Sequence, residues 1–170
     1  MADPGNIVVV VDDNDKVIKY INQADFSNDM RRRDTCILIF NDKKQLLLAR
    51  RHPSKKVLPN KWGPSASGTV ESHESYEQNA YKELQEEIGL TNIPLTHIGN
   101  YCMDHDSHKR YTGLFTGEWN GSLDALILEE NHVAEVAWVS LDELAVRAKN
   151  NPDDYVPGLV RLLRHTKQIN

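Results

Sequence analysis

The segment from Ser75 to Gly89 carries the clearest structural signal in the sequence. Ser75 is followed three residues later by Gln78, which is the pattern of a capping box at a helix N-terminus. Gly89 supplies the usual stop at the C-terminus. The apolar residues between these ends share an arc that suits a protein core: Tyr81, Leu84 and Ile88. The pattern predicts an amphipathic helix over 75–87, and the rest of the chain must provide a surface that covers it.

The same helix carries glutamates on a separate arc near its C-terminal end: Glu83, Glu86 and Glu87. Like charges at positions i and i+4 destabilise a helix by about 0.2–0.5 kcal/mol, and acids in the last turns oppose the helix dipole. A divalent cation would compensate this repulsion, and hard carboxylate oxygens favour Mg²⁺ or Mn²⁺ over zinc. The alternative is a solvated acidic face that pairs with basic residues elsewhere.

Charge is distributed in two adjacent blocks. Residues 43–70 contain seven lysines and arginines and no acid, whereas residues 71–87 contain six acids and one base, Lys82. Arginine and lysine bind phosphate and carboxylates bind divalent cations, so a site for a metal-bound phosphate compound needs both signs together. Two solvated faces that meet only in the sequence are the alternative. The net charge of −5 argues against a general nucleic-acid coat.

The remaining segments alternate between short strands and helices. Strands are predicted at 7–11, 16–20, 36–40, 45–50, 98–103, 110–118 and 133–139, and helices at 141–149 and 155–166. Residues 52–70 are predicted as an irregular loop that carries function, and the arginine run 31–33 as a solvated stretch ahead of a strand. This mixture predicts an α/β or α+β sandwich with a mixed sheet.

The spacing around the acidic helix has a known counterpart. Gly68, five residues, Glu74, seven residues and then the run Lys82–Leu90 resemble the Nudix box, Gx5Ex7REUxEExGU, in which U is apolar. Lys82 stands where that family has arginine, and the resemblance covers residues 35–147. It implies a Nudix-type α/β/α sandwich with a mixed β-sheet. The implied single domain, 1–170, has an N-terminal strand extension (1–33), a core (34–147) and a C-terminal helix (148–170).

Nudix hydrolases cleave a nucleoside diphosphate linked to another group X, with Mg²⁺ or Mn²⁺ as the cofactor. Carried over by position, the resemblance implies metal ligation by Glu83, Glu86, Glu87 and the backbone carbonyl of Ser67. It also implies that Glu83 and Glu86 act in catalysis, with Glu83 as a ligand or as the general base. Lys82 keeps the charge of the box arginine but loses its bidentate geometry, which implies a looser hold on the neighbouring glutamate.

One further acid is expected outside the box. Many family members have a carboxylate before the late strand, where it completes the metal site or acts as a base. In this sequence His132 stands at that position. Glu130, Glu135 and the loop 104–108 are the alternatives for this role.

Upstream of the box, the sequence resembles a related family, the type I isopentenyl diphosphate isomerases. Their motif RRxxSKKxxPxxW matches residues 50–62. In that family the positions matching Arg51 and Lys55 contact the diphosphate, for which guanidinium and ammonium groups are well suited. Isomerisation also needs a cysteine and a histidine around the box glycine, where this chain has Ser67 and Thr69.

The hydrolase interpretation is therefore preferred, and the chain resembles uncharacterised bacterial Nudix hydrolases with isomerase-like N-terminal strands. The alternatives are an isomerase-like enzyme and a Nudix-fold nucleotide-binding regulatory module with little turnover. The expected partner is a small diphosphate compound rather than a nucleic-acid polymer or a membrane, since no apolar run reaches about 18 residues. The N-terminus lacks a signal-peptide pattern, so a cytoplasmic location is expected, and a homodimer is left open.

Overall fold

The computed structural model describes residues 7–104 and 109–170. Within these ranges, nine strands form one sheet: β1 (Ile7–Val11), β2 (Val17–Asn22), β3 (Arg31–Phe40), β4 (Gln45–Arg51), β5 (Trp62–Gly63), β6 (Ala66–Thr69), β7 (Leu95–Cys102), β8 (Lys109–Glu118) and β9 (Val133–Ser140). Three α-helices pack on the sheet: α1 (Tyr76–Ile88), α2 (Leu141–Asn150) and α3 (Pro157–His165). None of these helices is long and apolar enough to cross a membrane.

The central strand of the sheet is β3. It pairs in parallel with β8 over its whole length, from Arg31 opposite Lys109 to Phe40 opposite Glu118. Its other edge pairs antiparallel with β1 and β6, and β4 extends the sheet to β5 and β9. Because parallel and antiparallel pairs occur in one sheet, the predicted mixed sheet is confirmed.

Alternate side chains of β3 pack against different helical layers, as the two-residue period of a strand requires. Ile37 and Ile39 belong to a buried cluster with Leu84 and Ile88 of α1. Leu38, which lies between them in sequence, belongs to the cluster that covers α2 and α3. The sheet is therefore enclosed between α1 on one face and α2 with α3 on the other, which is the predicted α/β/α sandwich.

The ends of α1 follow the sequence prediction. Ser75 accepts a hydrogen bond from the backbone of Gln78, whose side chain accepts one from the backbone of Ser75 in return, so the capping box is present. Gly89 ends the helix with φ of +68°, in the left-handed region that favours glycine. The placement of Tyr81 in the core is wrong: its side chain is exposed, and its hydroxyl accepts a hydrogen bond from the Leu95 amide.

The predicted irregular loop at 52–70 is wrong in its second half, which contains β5 and β6. The residues of β6 are small and polar, so they have little strand propensity of their own. They form a strand because β3 supplies a partner, with Ser67 opposite Cys36 and Gly68 opposite Thr35. This pairing places the start of the box against the central strand.

The prediction of a solvated arginine run at 31–33 is also wrong. These residues begin β3, and the guanidinium of Arg31 is buried in ion pairs with Asp13 and Asp104. Arg33 donates to Asp15 at 2.7 Å between Nε and Oδ1. Local sequence could not show this, because the acids come from the β1–β2 turn and from the end of β7. The predicted turn at 105–108 lies outside the described residues.

The hairpin of β1 and β2 is joined to the box segment. The amide of Ser72 donates to the carbonyl of Ile7 at 2.9 Å, and Val8 forms a bridge with Glu71. The predicted N-terminal strands therefore continue the edge of the sheet that β6 begins.

Candidate active site

The helix α1 places two of its glutamates directly against β6. The amide of Ser67 donates to Oε2 of Glu87 at 2.9 Å. The carboxyl group of Glu83 lies over Gly68, where a Cβ would come within 2.0 Å of the Glu83 carboxyl carbon. Only a residue without a side chain leaves room for this carboxylate. Pairing of β6 with β3 thus fixes the position of both acids relative to the central sheet.

Burial changes the acid–base properties of these two groups. It raises the pKa of Glu87 to about 8, with the nearby charge of Glu83 adding to the effect. Burial also raises the pKa of Glu83 to about 7, with a further contribution from the charge of Glu86. Glu86 itself has an exposed side chain. Two of the three predicted ligands are therefore partly buried, and the third is exposed to solvent.

A second acidic group lies next to these residues. Among the residues that the structure describes, the potential ligand atoms that lie within 4.8 Å of one another belong to Glu71, His73 and Glu74, not to the three glutamates of α1. The ammonium of Lys82 is 2.7 Å from Oε1 of Glu74 and 3.7 Å from Oε2 of Glu71. Since the ammonium of Lys82 already offsets one of the two carboxylate charges, we describe this group as an ion-paired support for the site rather than as a cation site.

Lys55 faces the acids of α1 from the loop that follows β4. Its side chain is partly buried, and burial together with the charge of Arg51 lowers its pKa, against the attraction of Glu87, Glu129 and Glu83. A partly buried ammonium group within reach of the charges of these carboxylates can hold a phosphate oxygen. The charges of Glu87, Glu129 and Glu83 thus reach Lys55, and its contact with a substrate stays a prediction.

Arg51 has a different environment. Its guanidinium donates to the carbonyl of Val57 at 2.9 Å and to that of Leu58 at 3.1 Å. It therefore holds the loop 52–60 in shape from within. The observed role of Arg51 is to order the loop that contains Lys55. Its contact with a diphosphate stays a prediction.

Sequence reasoning missed Glu129. Its amide donates to the carbonyl of Glu87 at 2.9 Å, and its carboxylate lies 3.1 Å from Nδ1 of His132. The charge of Glu129 acts on both Glu87 and Lys55. In the sequence, Glu129 is marked only as one of two adjacent acids with Glu130. The hydrogen bond that places it next to Glu87 forms in the folded chain.

The other candidates for the additional acid are placed elsewhere. Glu130 is exposed, and Glu135 on β9 forms an ion pair with Arg50 at 2.5 Å between Oε1 and Nε. Asp104 is paired with Arg31, and the rest of the loop 104–108 lies outside the described residues. Among the candidates for the additional acid whose surroundings the structure describes, Glu129 is thus the one hydrogen-bonded to Glu87.

Most of the chain is similar to proteins of one known family. A model of the NUDIX domain matches residues 30–159. An uncharacterised Nudix hydrolase of Yersinia pestis is 26% identical over 92% of this chain and 82% of its own length. A prenyl-diphosphate phosphatase of Methanosarcina mazei is 30% identical over 75% of this chain and 74% of its own length. The crystal structure of DR0079 from Deinococcus radiodurans has a TM-score of 0.74 at 21% identity, covers 85% of this chain and 89% of its own, and is similar in fold.

Proposed function

The chain belongs to the Nudix hydrolase family, and on that premise we propose that it is a metal-dependent hydrolase of a diphosphate linkage. The substrate class we propose is a nucleoside diphosphate linked to another group, or a related small diphosphate compound. The observation that carries the proposal is the pair of partly buried carboxylates that α1 places against β6, Glu83 over Gly68 and Glu87 on the Ser67 amide, whose charges act on the partly buried ammonium of Lys55. Such a site can hold a cation and a phosphate side by side.

The chemistry of the donor groups fits Mg²⁺ or Mn²⁺. Glu83 and Glu87 are carboxylates crowded into a buried place where burial and like charge oppose ionisation, and a divalent cation would favour it. We propose that Glu83, Glu86, Glu87 and the carbonyl of Ser67 hold the metal, with Glu129 as the additional acid. When bound, the metal neutralises charge on the diphosphate and lowers the pKa of a water molecule.

The protein's own residues supply the remaining functions in this proposal. Lys55 binds a phosphate oxygen as a compact positive charge, and Arg51 keeps its loop in place. Glu83 and Glu86 are the proposed catalytic groups. Glu83 is the proposed proton acceptor, since its carboxylate lies directly over Gly68, on the strand whose Ser67 amide donates to Glu87.

The alternatives rank lower on specific residues. Isomerase-like chemistry would need a thiol and an imidazole at positions 67 and 69. Ser67 and Thr69 carry hydroxyl groups there instead. A regulatory module would bind a nucleotide without turnover, and that outcome is separable by experiment. We also propose that the whole chain is one domain, because β1 is hydrogen-bonded to the box segment through Ile7 and Ser72.

The test is a substrate panel with Mg²⁺, Mn²⁺ or a chelator. It includes ADP-ribose, nucleoside diphosphate sugars and isoprenyl diphosphates, with phosphate release and product mass as readouts. Metal-dependent products that disappear in Glu87→Gln and persist in Glu77→Gln, an exposed glutamate of the same helix, would support the proposal. Tight binding of ADP-ribose without product would favour the regulatory module, and products of isomerisation would favour the isomerase.

A further inference from the structure

A buried asparagine links the acids of the site. Asn79 lies on α1 with no exposed surface, and it belongs to one of the unspecified positions of the box. Its Nδ2 atom is 2.8 Å from Oε2 of Glu74, 3.2 Å from Oε1 of Glu83 and 3.0 Å from the carbonyl of Thr69. The amide nitrogen carries two hydrogens for these three acceptors, so at least one hydrogen is shared.

The orientation of this amide is fixed by its neighbours. The carbonyl of Thr69 can only accept a hydrogen bond, so the nitrogen of Asn79 must face it. On the other side, the hydroxyl of Thr35 donates to Oδ1 of Asn79 at 2.5 Å. Thr35 is itself buried in β3, next to the strand β6 that carries the box glycine. Rotation of the amide would turn its oxygen towards the carbonyl of Thr69, which cannot donate to it, and would break the hydrogen bonds to Glu74 and Glu83.

Glu83 accepts a hydrogen bond from Asn79 and none from Lys82. The ammonium of Lys82 hydrogen-bonds to Glu74 at 2.7 Å but stays 3.8 Å from Oε1 of Glu83, beyond hydrogen-bonding distance. Within the described part of the chain, the hydrogen bond that the Glu83 carboxylate accepts comes from Asn79. The ammonium of Lys82 therefore hydrogen-bonds to Glu74, and the amide of Asn79 hydrogen-bonds to both Glu74 and Glu83.

We propose that Asn79 is a positioning residue for Glu83, and that its amide makes the link between Glu74 and Glu83 that a box arginine would make with its guanidinium. The proposal rests on the proposed function, in which Glu83 serves the metal site. It explains how this chain keeps the acid in place with lysine at position 82. Thr35 contributes by a hydrogen bond that anchors the oxygen of this amide.

The test measures Mn²⁺ affinity by calorimetry, together with kcat and KM on any substrate found. We expect Asn79→Ala to weaken Mn²⁺ binding and lower kcat by about tenfold or more, with a smaller change in KM, as removal of groups that orient metal ligands commonly does. In the Lys82→Arg background, the same Asn79→Ala change should cost much less, because a guanidinium can donate to both acids at once.

Asn41→Ala is the matched control, since Asn41 is also a buried asparagine with side-chain hydrogen bonds, to Gln45 at the β3–β4 turn. It should lower the unfolding temperature without changing Mn²⁺ affinity. If Asn79→Ala does not fold, Thr35→Val is the second variant, because it keeps the asparagine and removes only the hydrogen bond to its amide oxygen. Thr35→Val should also weaken Mn²⁺ binding, and the Lys82→Arg background should partly restore it.

Equal losses of Mn²⁺ affinity in the Lys82 and Lys82→Arg backgrounds would overturn the positioning role, as would an unchanged affinity in Asn79→Ala. A wild-type protein that binds Mn²⁺ but hydrolyses nothing would contradict the proposed function, and the affinity comparison would still decide the role of Asn79. Absence of Mn²⁺ binding by the wild-type protein would overturn both proposals.

Discussion

The substitution Glu87→Gln is expected to stabilise the metal-free protein and to abolish hydrolysis at the same time. Folding raises the pKa of Glu87 from 4.5 to about 8, chiefly through burial. The folded state then binds more protons than the unfolded state between these values, so stability falls as the pH rises from about 4.5 towards 8. A neutral glutamine of similar shape avoids this loss and still offers an oxygen to the Ser67 amide.

The size of the effect follows from the shift. At about 1.4 kcal/mol per tenfold change in proton affinity, ionising Glu87 in the folded protein costs at most about 4–5 kcal/mol. The new amide hydrogens of glutamine lack assured partners, which costs about 1–2 kcal/mol. We therefore expect a net gain of about 2–3 kcal/mol at pH 8, or about 5–10 °C in Tm, and no gain at pH 5.

The assay is thermal and urea unfolding of the chelator-treated protein at pH 5 and pH 8. Glu77→Gln on the exposed side of α1 provides the control, with an expected change below about 0.5 kcal/mol at both pH values. A Glu87→Gln variant that is no more stable than the wild type at pH 8, or whose gain is the same at pH 5, would refute the reasoning about burial.

Four further predictions concern the same site. Lys55→Ala should raise KM for a diphosphate substrate by about tenfold with a smaller effect on kcat, in steady-state kinetics, whereas Arg51→Ala should chiefly speed amide exchange in the loop 52–60. Lys82→Arg should be tolerated or mildly activating, and a large fall in kcat/KM would show that the lysine has a role of its own. Millimolar Mg²⁺ should raise Tm more at pH 8 than at pH 5, because it binds ionised carboxylates that only the folded state brings together; an equal or absent shift in differential scanning calorimetry would count against a formed site.

The acidic helix was predictable because its signals are local. The capping box, the stop at Gly89 and the spacing of the glutamates all lie within one short segment. What the helix packs against was not predictable in the same way. The Ser67 amide and the space above Gly68 become part of the site through the pairing of β6 with β3, and β6 has too little strand propensity to be recognised alone.

Charged residues show the same division between local and long-range information. The arginines that begin β3 were predicted to be solvated, and the acid next to them in sequence, Asp34, pairs only with Arg32 and Arg110 among the described residues. The partners of Arg31 and Arg33, which are Asp13, Asp15 and Asp104, come from distant turns. Glu130 and Glu135 were likewise predicted in place of Glu129. The backbone hydrogen bond that brings Glu129 to Glu87 forms only in the folded chain, and no sequence pattern indicates it.

Because the Glu83 carboxylate lies over Gly68, the substitution Gly68→Ala should abolish the proposed activity and preserve the fold. Gly68 does not adopt a left-handed φ, so its backbone would accept alanine without strain. The added carbon would instead expel the end of a flexible side chain, the Glu83 carboxylate, and leave the strand pairs in place. A lineage could therefore pass in a single mutational step from a hydrolase to a folded, inactive descendant. Retention of glycine here in a relative would indicate selection on chemistry rather than on folding.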